Sequence, residues 1–212
     1  MSPTWGRGNR NLGTPAEPGY RCAMNASSSP LASLGPVLNV PGLGSSGPDH
    51  WQSRWEALAP EAFRRVVQRD WDRPALGDWL TALEAAVAEG GPGLLLAAHS
   101  LSCSLVARWA TQTQLARNVT GALLVAPADV DAPTIPAEAA GFAPMPRSPL
   151  PFPSILVVSD DDPYATVQRA EAFAAAWGGR LVLVRGGGHL NAASGLGDWP
   201  QGLALLGDLR LT

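Results

Sequence analysis

From Pro36 onward, short continuous apolar runs alternate with longer stretches in which apolar residues recur every three or four positions. A short apolar run bounded by turn residues suits a strand buried on both faces, and the longer period suits a helix with one face turned inward. The pattern predicts strands near 36–40, 63–68, 93–98, 121–126, 154–159 and 180–184, and helices over 51–58, 76–88, 101–113, 165–177 and 199–206. Strands joined through helices pair in parallel, so the expected fold class is α/β, an open, mostly parallel sheet with helices on both faces. Residues 127–153 break the rhythm: they are rich in proline and carry no helical period, which predicts a loop cover and no large lid domain. Residues 1–34 show no apolar period and are crowded with Gly, Pro, Asn and Ser. They are expected to form a flexible tail ahead of a single domain spanning 35–212, with Met24 as a second candidate start.

Composition narrows the chemistry. The chain has 212 residues, 46% hydrophobic and 16% charged, enough for one domain with a substantial core. Its net charge is −3 and its arginines are dispersed, so no basic stripe offers itself to nucleic acid or to a membrane surface, and neither is an expected partner. The longest apolar runs, 94–98 and 122–126, fall far short of a membrane span. No apolar run followed by a small-residue cleavage site marks a secretory signal, and a cytoplasmic location is expected. The sequence contains no lysine, which excludes Schiff-base chemistry, Ser-Lys dyads and a phosphate-binding P-loop. Cys22 and Cys103 lie in unlike settings and do not suggest a disulfide framework. The histidines are His50, His99 and His189, with no recognised metal-ligand spacing, so no metal or cofactor is expected. No feature specifies an oligomeric state.

In an open α/β sheet the ligand crevice lies beyond the carboxyl ends of the strands. At those positions stand Gly42-Leu43-Gly44-Ser45-Ser46, then Ser100, then Asp160-Asp161-Asp162, then Gly186-Gly187-Gly188-His189. An alcohol is a weak nucleophile at neutral pH. It needs a base within hydrogen-bond reach, and the base needs a carboxylate to fix its tautomer. Ser100, His189 and Asp162 can fill those roles. Each has a plainer reading: Ser100 as a helix N-cap, the acidic run as a solvated turn before Pro163, His99 as a packed turn residue, and His50 as a pocket wall or a helix cap.

The segments VPGLGSSGPDHWQSRW, AAHSLSC, SDDDPY and GGGHLNAASGLGDWP resemble the small serine hydrolases related to retinoblastoma-binding protein nine and the bacterial YdeN-like proteins, within the α/β-hydrolase superfamily. The likeness runs from about Val37 to Leu209 and includes the chain order Ser, Asp, His. It implies an esterase-like serine hydrolase that forms a covalent acyl-enzyme on Ser100, with Asp162 as the acid and His189 as the base. On that footing Asp160 and Asp161 are expected to be replaceable at little cost. The resemblance also implies an oxyanion hole from the backbone N–H groups of Leu43 and Leu101. The sequence departs from the Gly-x-Ser-x-Gly pattern at both glycines, which are Ala98 and Ser102 here. The Ser102 side chain is expected to crowd the turn, tilt the elbow and weaken the oxyanion hole, so that Ser102→Gly raises turnover. The alternative function is a catalytically weak scaffold serving as a binding module. Cys103, one turn into an apolar helix, reads as core. Phe142 and Met145 from the proline-rich segment, with Trp51 and Trp71 from other strand ends, are the expected substrate-binding residues. An apolar rim with few charges points to a small neutral ester, thioester or amide as the small-molecule substrate.

Overall fold

The computed structural model describes residue 31 and residues 34–211. Six strands, β1 (Val37–Val40), β2 (Phe63–Arg65), β3 (Leu94–His99), β4 (Val119–Val125), β5 (Ser154–Ser159) and β6 (Arg180–Val184), form one sheet in the order β2-β1-β3-β4-β5-β6. Every neighbouring pair is parallel. Five α-helices connect or follow them: α1 (Trp51–Leu58), α2 (Leu76–Gly90), α3 (Leu101–Ala110), α4 (Val167–Trp177) and α5 (Pro200–Asp208). The strand order reverses between β1 and β3, so the loops leaving these two strands diverge and open a crevice at their carboxyl ends.

Alternation along the central strands divides the core in two. Leu94, Leu96 and Ala98 of β3 and Ala122 and Leu124 of β4 face one side, where Trp79, Leu83 and Val87 of α2, the buried face of α3, and Phe173 and Trp177 of α4 cover them. Leu95, Ala97, Leu123 and Val125 face the other side, against Trp51 and Trp55 of α1 and Leu206 of α5. Strands covered on both faces have no polar side to show, which is why they read as unbroken apolar runs. The edge strand β2 is shorter than its apolar pattern predicts. It pairs with β1 over three residues, Val66 N–H still donates to Asn39, and Val67 then turns 73% exposed.

Most of the expected tail lies outside the described residues. Leu34, at its end, is buried, and Leu31 packs on the same apolar cluster. The carbonyl of Leu34 accepts a hydrogen bond from Arg210, whose guanidinium also reaches the carbonyls of Gly93 and Pro36. Among the described residues no helix is long and apolar enough to cross a membrane.

The proline-rich connection between β4 and β5 carries one short 3-10 helix, Ala137–Phe142. Arg108 of α3 donates to the carbonyls of Phe142 and Pro144, and the Trp177 indole N–H donates to Pro146. The segment lies against α3 and α4 as a strapped cover with no lid domain.

Candidate active site

The nucleophile candidate sits at a strained turn. Ser100 joins β3 to α3 with φ 57° and ψ −122°, a conformation that L-residues seldom adopt and that costs about 1–3 kcal/mol. Its backbone N–H donates to Val125 at the end of β4, and its carbonyl accepts from Cys103 in the first turn of α3. Its hydroxyl makes no capping bond to the helix, so the N-cap reading fails. The hydroxyl oxygen instead lies 2.8 Å from His189 Nε2.

Behind that nitrogen the imidazole meets a carboxylate. His189 Nδ1 stands 2.9 Å from Asp162 Oδ2 and 3.0 Å from Oδ1, with the two side chains 9% and 4% exposed. A carboxylate can only accept here, so the proton rests on Nδ1 and Nε2 is left as the acceptor facing the hydroxyl. Asp162 also receives the Tyr164 backbone N–H, and the Tyr164 ring stands edge-on 4.5 Å from the imidazole.

The other two aspartates hold the glycine loop. Asp160 accepts from Gly186 N–H at 2.8 Å, Asp161 accepts from Gly188 N–H at 2.7 Å, and Ser159, whose hydroxyl donates to Asp161, accepts from Gly187 N–H at 2.9 Å. Three consecutive amides ahead of His189 are thus tied to three consecutive residues ahead of Asp162. The Ser159 hydroxyl and the Gly188 N–H hold the Asp161 carboxyl below its ordinary range. The reading of the acidic run as a solvated turn misses this, because the partners lie 26 and 27 residues downstream.

The loop after β1 packs directly on the elbow. A Cβ at Gly42 would come within 2.9 Å of both the His99 carbonyl and Ser100 Cβ, so only glycine lets the two turns approach this closely. Leu43 and Leu101 both line the cavity beside Ser100. Ser102, expected to crowd the turn, is fully buried, and its hydroxyl donates to the Pro41 carbonyl at 2.6 Å. Position 102 takes a side chain because a backbone acceptor waits for it.

The cavity over Ser100 has a volume of about 190 Å³. Its walls come from Leu43, Ser45 and His50, from His99 and Leu101, from Ala128, Ile135, Pro136 and Ala139 of the cover, and from Tyr164, His189 and Asn191. None of the four expected substrate-binding residues is among them. Trp51 is 1% exposed and sits in a cluster of aromatic rings with Trp55 and Trp199, its indole N–H donating to the Leu190 carbonyl. Phe142 and Met145 are buried in the core beneath the cover. Trp71 packs on Trp79 and contributes its carbonyl, which accepts from Gly44 N–H. Large apolar groups gain most from full burial, and Trp51, Phe142 and Met145 take it, while Trp71 stays half-buried.

Two further histidines stand beside His189. His50 Nδ1 accepts from Gln52 N–H and caps α1, while the ring also forms part of the cavity wall; both readings of His50 hold. Burial, then the nearby Arg65 and His189, push its pKa down to about 4. His99 Nε2 donates to the His189 carbonyl at 2.9 Å, and burial drives its pKa well down. Both imidazoles are therefore neutral near pH 7. The Cys103 thiol is buried against the carbonyls of Ala98 and Val125, and burial pushes its pKa far up, so it offers no thiolate.

Residues 37–208 match a protein-family model described as serine hydrolase. A solved structure from Pectobacterium atrosepticum, described as a YdeN-like hydrolase, is 31% identical with a TM-score of 0.74, covering 85% of this chain and 93% of that one. The ydeN gene product from B. subtilis is 19% identical with a TM-score of 0.69, covering 84% of this chain and 100% of that one. A monoacylglycerol lipase from Paleococcus ferrophilus shares the fold at 13% identity and a TM-score of 0.60, covering 84% of this chain and 96% of that one. No curated protein matches the chain. The match over residues 37–208 and the likeness to the Pectobacterium protein make this chain a member of the serine hydrolase family, an enzyme of the α/β-hydrolase fold resembling YdeN.

Proposed function

We propose that the enzyme hydrolyses small neutral esters, thioesters or amides with short acyl groups, through a covalent acyl-enzyme on Ser100. The observation that carries this reading is the unbroken line from Ser100 Oγ through His189 to the Asp162 carboxylate. His189 Nε2 takes the hydroxyl proton as Oγ bonds to the substrate carbonyl carbon, and Asp162 stabilises the imidazolium that results. The carbonyl oxygen, now an anion, receives the N–H groups of Leu43 and Leu101, neither of which has an acceptor among the described residues. The tetrahedral adduct collapses, the bond to the leaving group breaks, and that group departs with the proton from Nε2. Water then repeats the sequence on the acyl-enzyme and releases the acid.

The cavity supports the choice of substrate. Its volume of about 190 Å³ lies below the range typical of drug-sized ligands, which leaves room for a short acyl chain and not a fatty one. Apart from His189 and the neutral His50 and His99, its lining carries no ionisable side chain but the Tyr164 phenol, which suits an uncharged substrate. The test is a panel of aryl esters of increasing acyl length, run beside fluorophosphonate labelling of the intact enzyme and of Ser100→Ala. The reading predicts kcat/KM highest for the shortest acyl groups and labelling lost in the variant. A preference for long chains would contradict the substrate class, and labelling that survives Ser100→Ala would contradict the nucleophile.

A further inference from the structure

We propose that Ser102 is a positioning residue that presets the oxyanion hole by holding the loop after β1 against the elbow. This rests on Ser100 being the nucleophile and on the N–H of Leu43 serving the oxyanion.

The loop's own chemistry makes such a hold necessary. Leu43 follows Gly42, a residue with no Cβ to limit rotation of the peptide that carries the Leu43 N–H. If that peptide turned, the N–H would leave the oxyanion position and a carbonyl would take its place. Close packing of Gly42 on Ser100 Cβ and the His99 carbonyl sets the distance between loop and elbow, but it does not choose the direction of the next peptide. That peptide's own carbonyl, on Gly42, accepts from Ser45 N–H at 3.1 Å and closes a tight turn, and hydrogen bonds on either side set where the turn sits against the elbow. Ahead of Gly42, the Ser102 hydroxyl holds the Pro41 carbonyl at 2.6 Å. Behind Leu43, the Gly44 N–H is held by the Trp71 carbonyl at 2.9 Å. The turn that presents the Leu43 N–H lies between two fixed points, and one of those points is a side chain on the first turn of α3, the same turn that carries the Leu101 N–H. Ser102 therefore couples the two halves of the oxyanion hole, 61 residues apart in sequence at the bond itself. Glycine in its place would let the helix approach but would supply no such tie. The predicted sign for Ser102→Gly is the reverse of the one that crowding alone suggests.

The test compares the wild-type enzyme with Ser102→Ala and Ser102→Gly, on a short-chain aryl ester and with an alkylboronic acid that forms a tetrahedral adduct on the serine. Misplacing one oxyanion donor is expected to lower kcat by about ten- to a hundredfold, somewhat less than deleting a donor outright. KM should stay within about twofold, boronate affinity should fall in proportion to kcat, and the midpoint of the kcat/KM pH profile should not move, since His189 and Asp162 are untouched. Amide hydrogen exchange at Gly44 and Ser45, whose N–H groups are bonded to the Trp71 and Gly42 carbonyls, should quicken in both variants. A purely structural role would lower the thermal midpoint but leave kcat and boronate affinity unchanged at temperatures where the variants are folded, and that result would overturn the proposal. Failure of both variants to fold would overturn it as well, by making Ser102 a core residue without separate action on the loop. If Ser102 variants keep full kcat while Ser100→Ala is dead, the catalytic reading stands and this inference falls. If Ser100→Ala remains active, both fall.

Discussion

The turn that carries Ser100 and the loop that carries His189 deliver their side chains to the same point by opposite means. The elbow is built from its own backbone: a buried strand, a residue forced to positive φ, and a helix that begins at once, with the neighbouring strand accepting the amide. The base loop has no such frame. Its glycines are more exposed, and it is held through side chains of the acid loop, Asp160, Ser159 and Asp161, each binding one amide. Strain at the elbow is maintained by the whole sheet, whereas the base loop depends on a few bonds near solvent. The backbone at Ser100 should therefore hold its conformation under nearby side-chain changes better than the backbone at His189 does.

The largest effects should come from the groups proposed to react. Ser100→Ala is expected to lower kcat by at least about a thousandfold with little change in thermal midpoint. Ser100→Gly should be equally inactive yet more stable by about 1 kcal/mol, because glycine relieves the positive φ at some entropic cost. A denaturant titration of the two variants checks this, and equal stabilities would mean that the elbow stores no strain. Asp162→Asn should cost about three to four orders of magnitude in kcat through the wrong imidazole tautomer.

The acidic run then separates the two regions. Asp161→Ala removes the acceptor of Gly188 N–H and of the Ser159 hydroxyl, and should lower kcat about tenfold by loosening the residue next to His189. Asp160→Ala, which frees only the more distant Gly186 N–H, should cost about twofold to threefold. Steady-state kinetics on the three positions should give the order Asp162, Asp161, Asp160; equal losses at the last two would remove the graded tether from the comparison.

A separate effect, on stability and not on turnover, is one of pH. His50 and His99 are neutral in the folded protein down to low pH, while in the unfolded chain they take up protons near 6.5. Their contribution is complete above that value and is lost as the pH falls, levelling off for His50 below about 4. For His50 the loss amounts to about 3 kcal/mol. Denaturant midpoints measured across this window should fall in the wild type and fall less in His50→Asn, whose amide oxygen still caps α1.

The fold is readable because β1, β3, β4 and β5 are buried enough to leave continuous apolar runs, and the half-exposed edge strand β6 still carries one; β2, an edge strand held for three residues, is shorter than its pattern for lack of a signal that its partner ends. The positions of Ser100, Asp162 and His189 were readable because each follows a strand. The cavity wall was not. Apolar size says that a side chain will be buried, not whether it is buried in core or in cleft, and so Trp51, Phe142 and Met145 went inside while Tyr164 and Ile135 line the space. The duties of Ser102, Asp160 and Asp161 were hidden for another reason. Each is defined by a backbone partner far away in the chain, and a sequence pattern does not record which carbonyl or amide arrives opposite a hydroxyl or a carboxylate.

The most direct measurement is the location of the covalent bond. The enzyme is treated with a short-chain fluorophosphonate and digested, and the modified residue is found by mass spectrometry. One phosphonyl group per chain, on Ser100, absent from Ser100→Ala and slowed by several orders of magnitude in a His189→Ala variant, is the predicted result. A label on Ser45, Ser46 or Cys103, or labelling of Ser100 at an undiminished rate without His189, would contradict it.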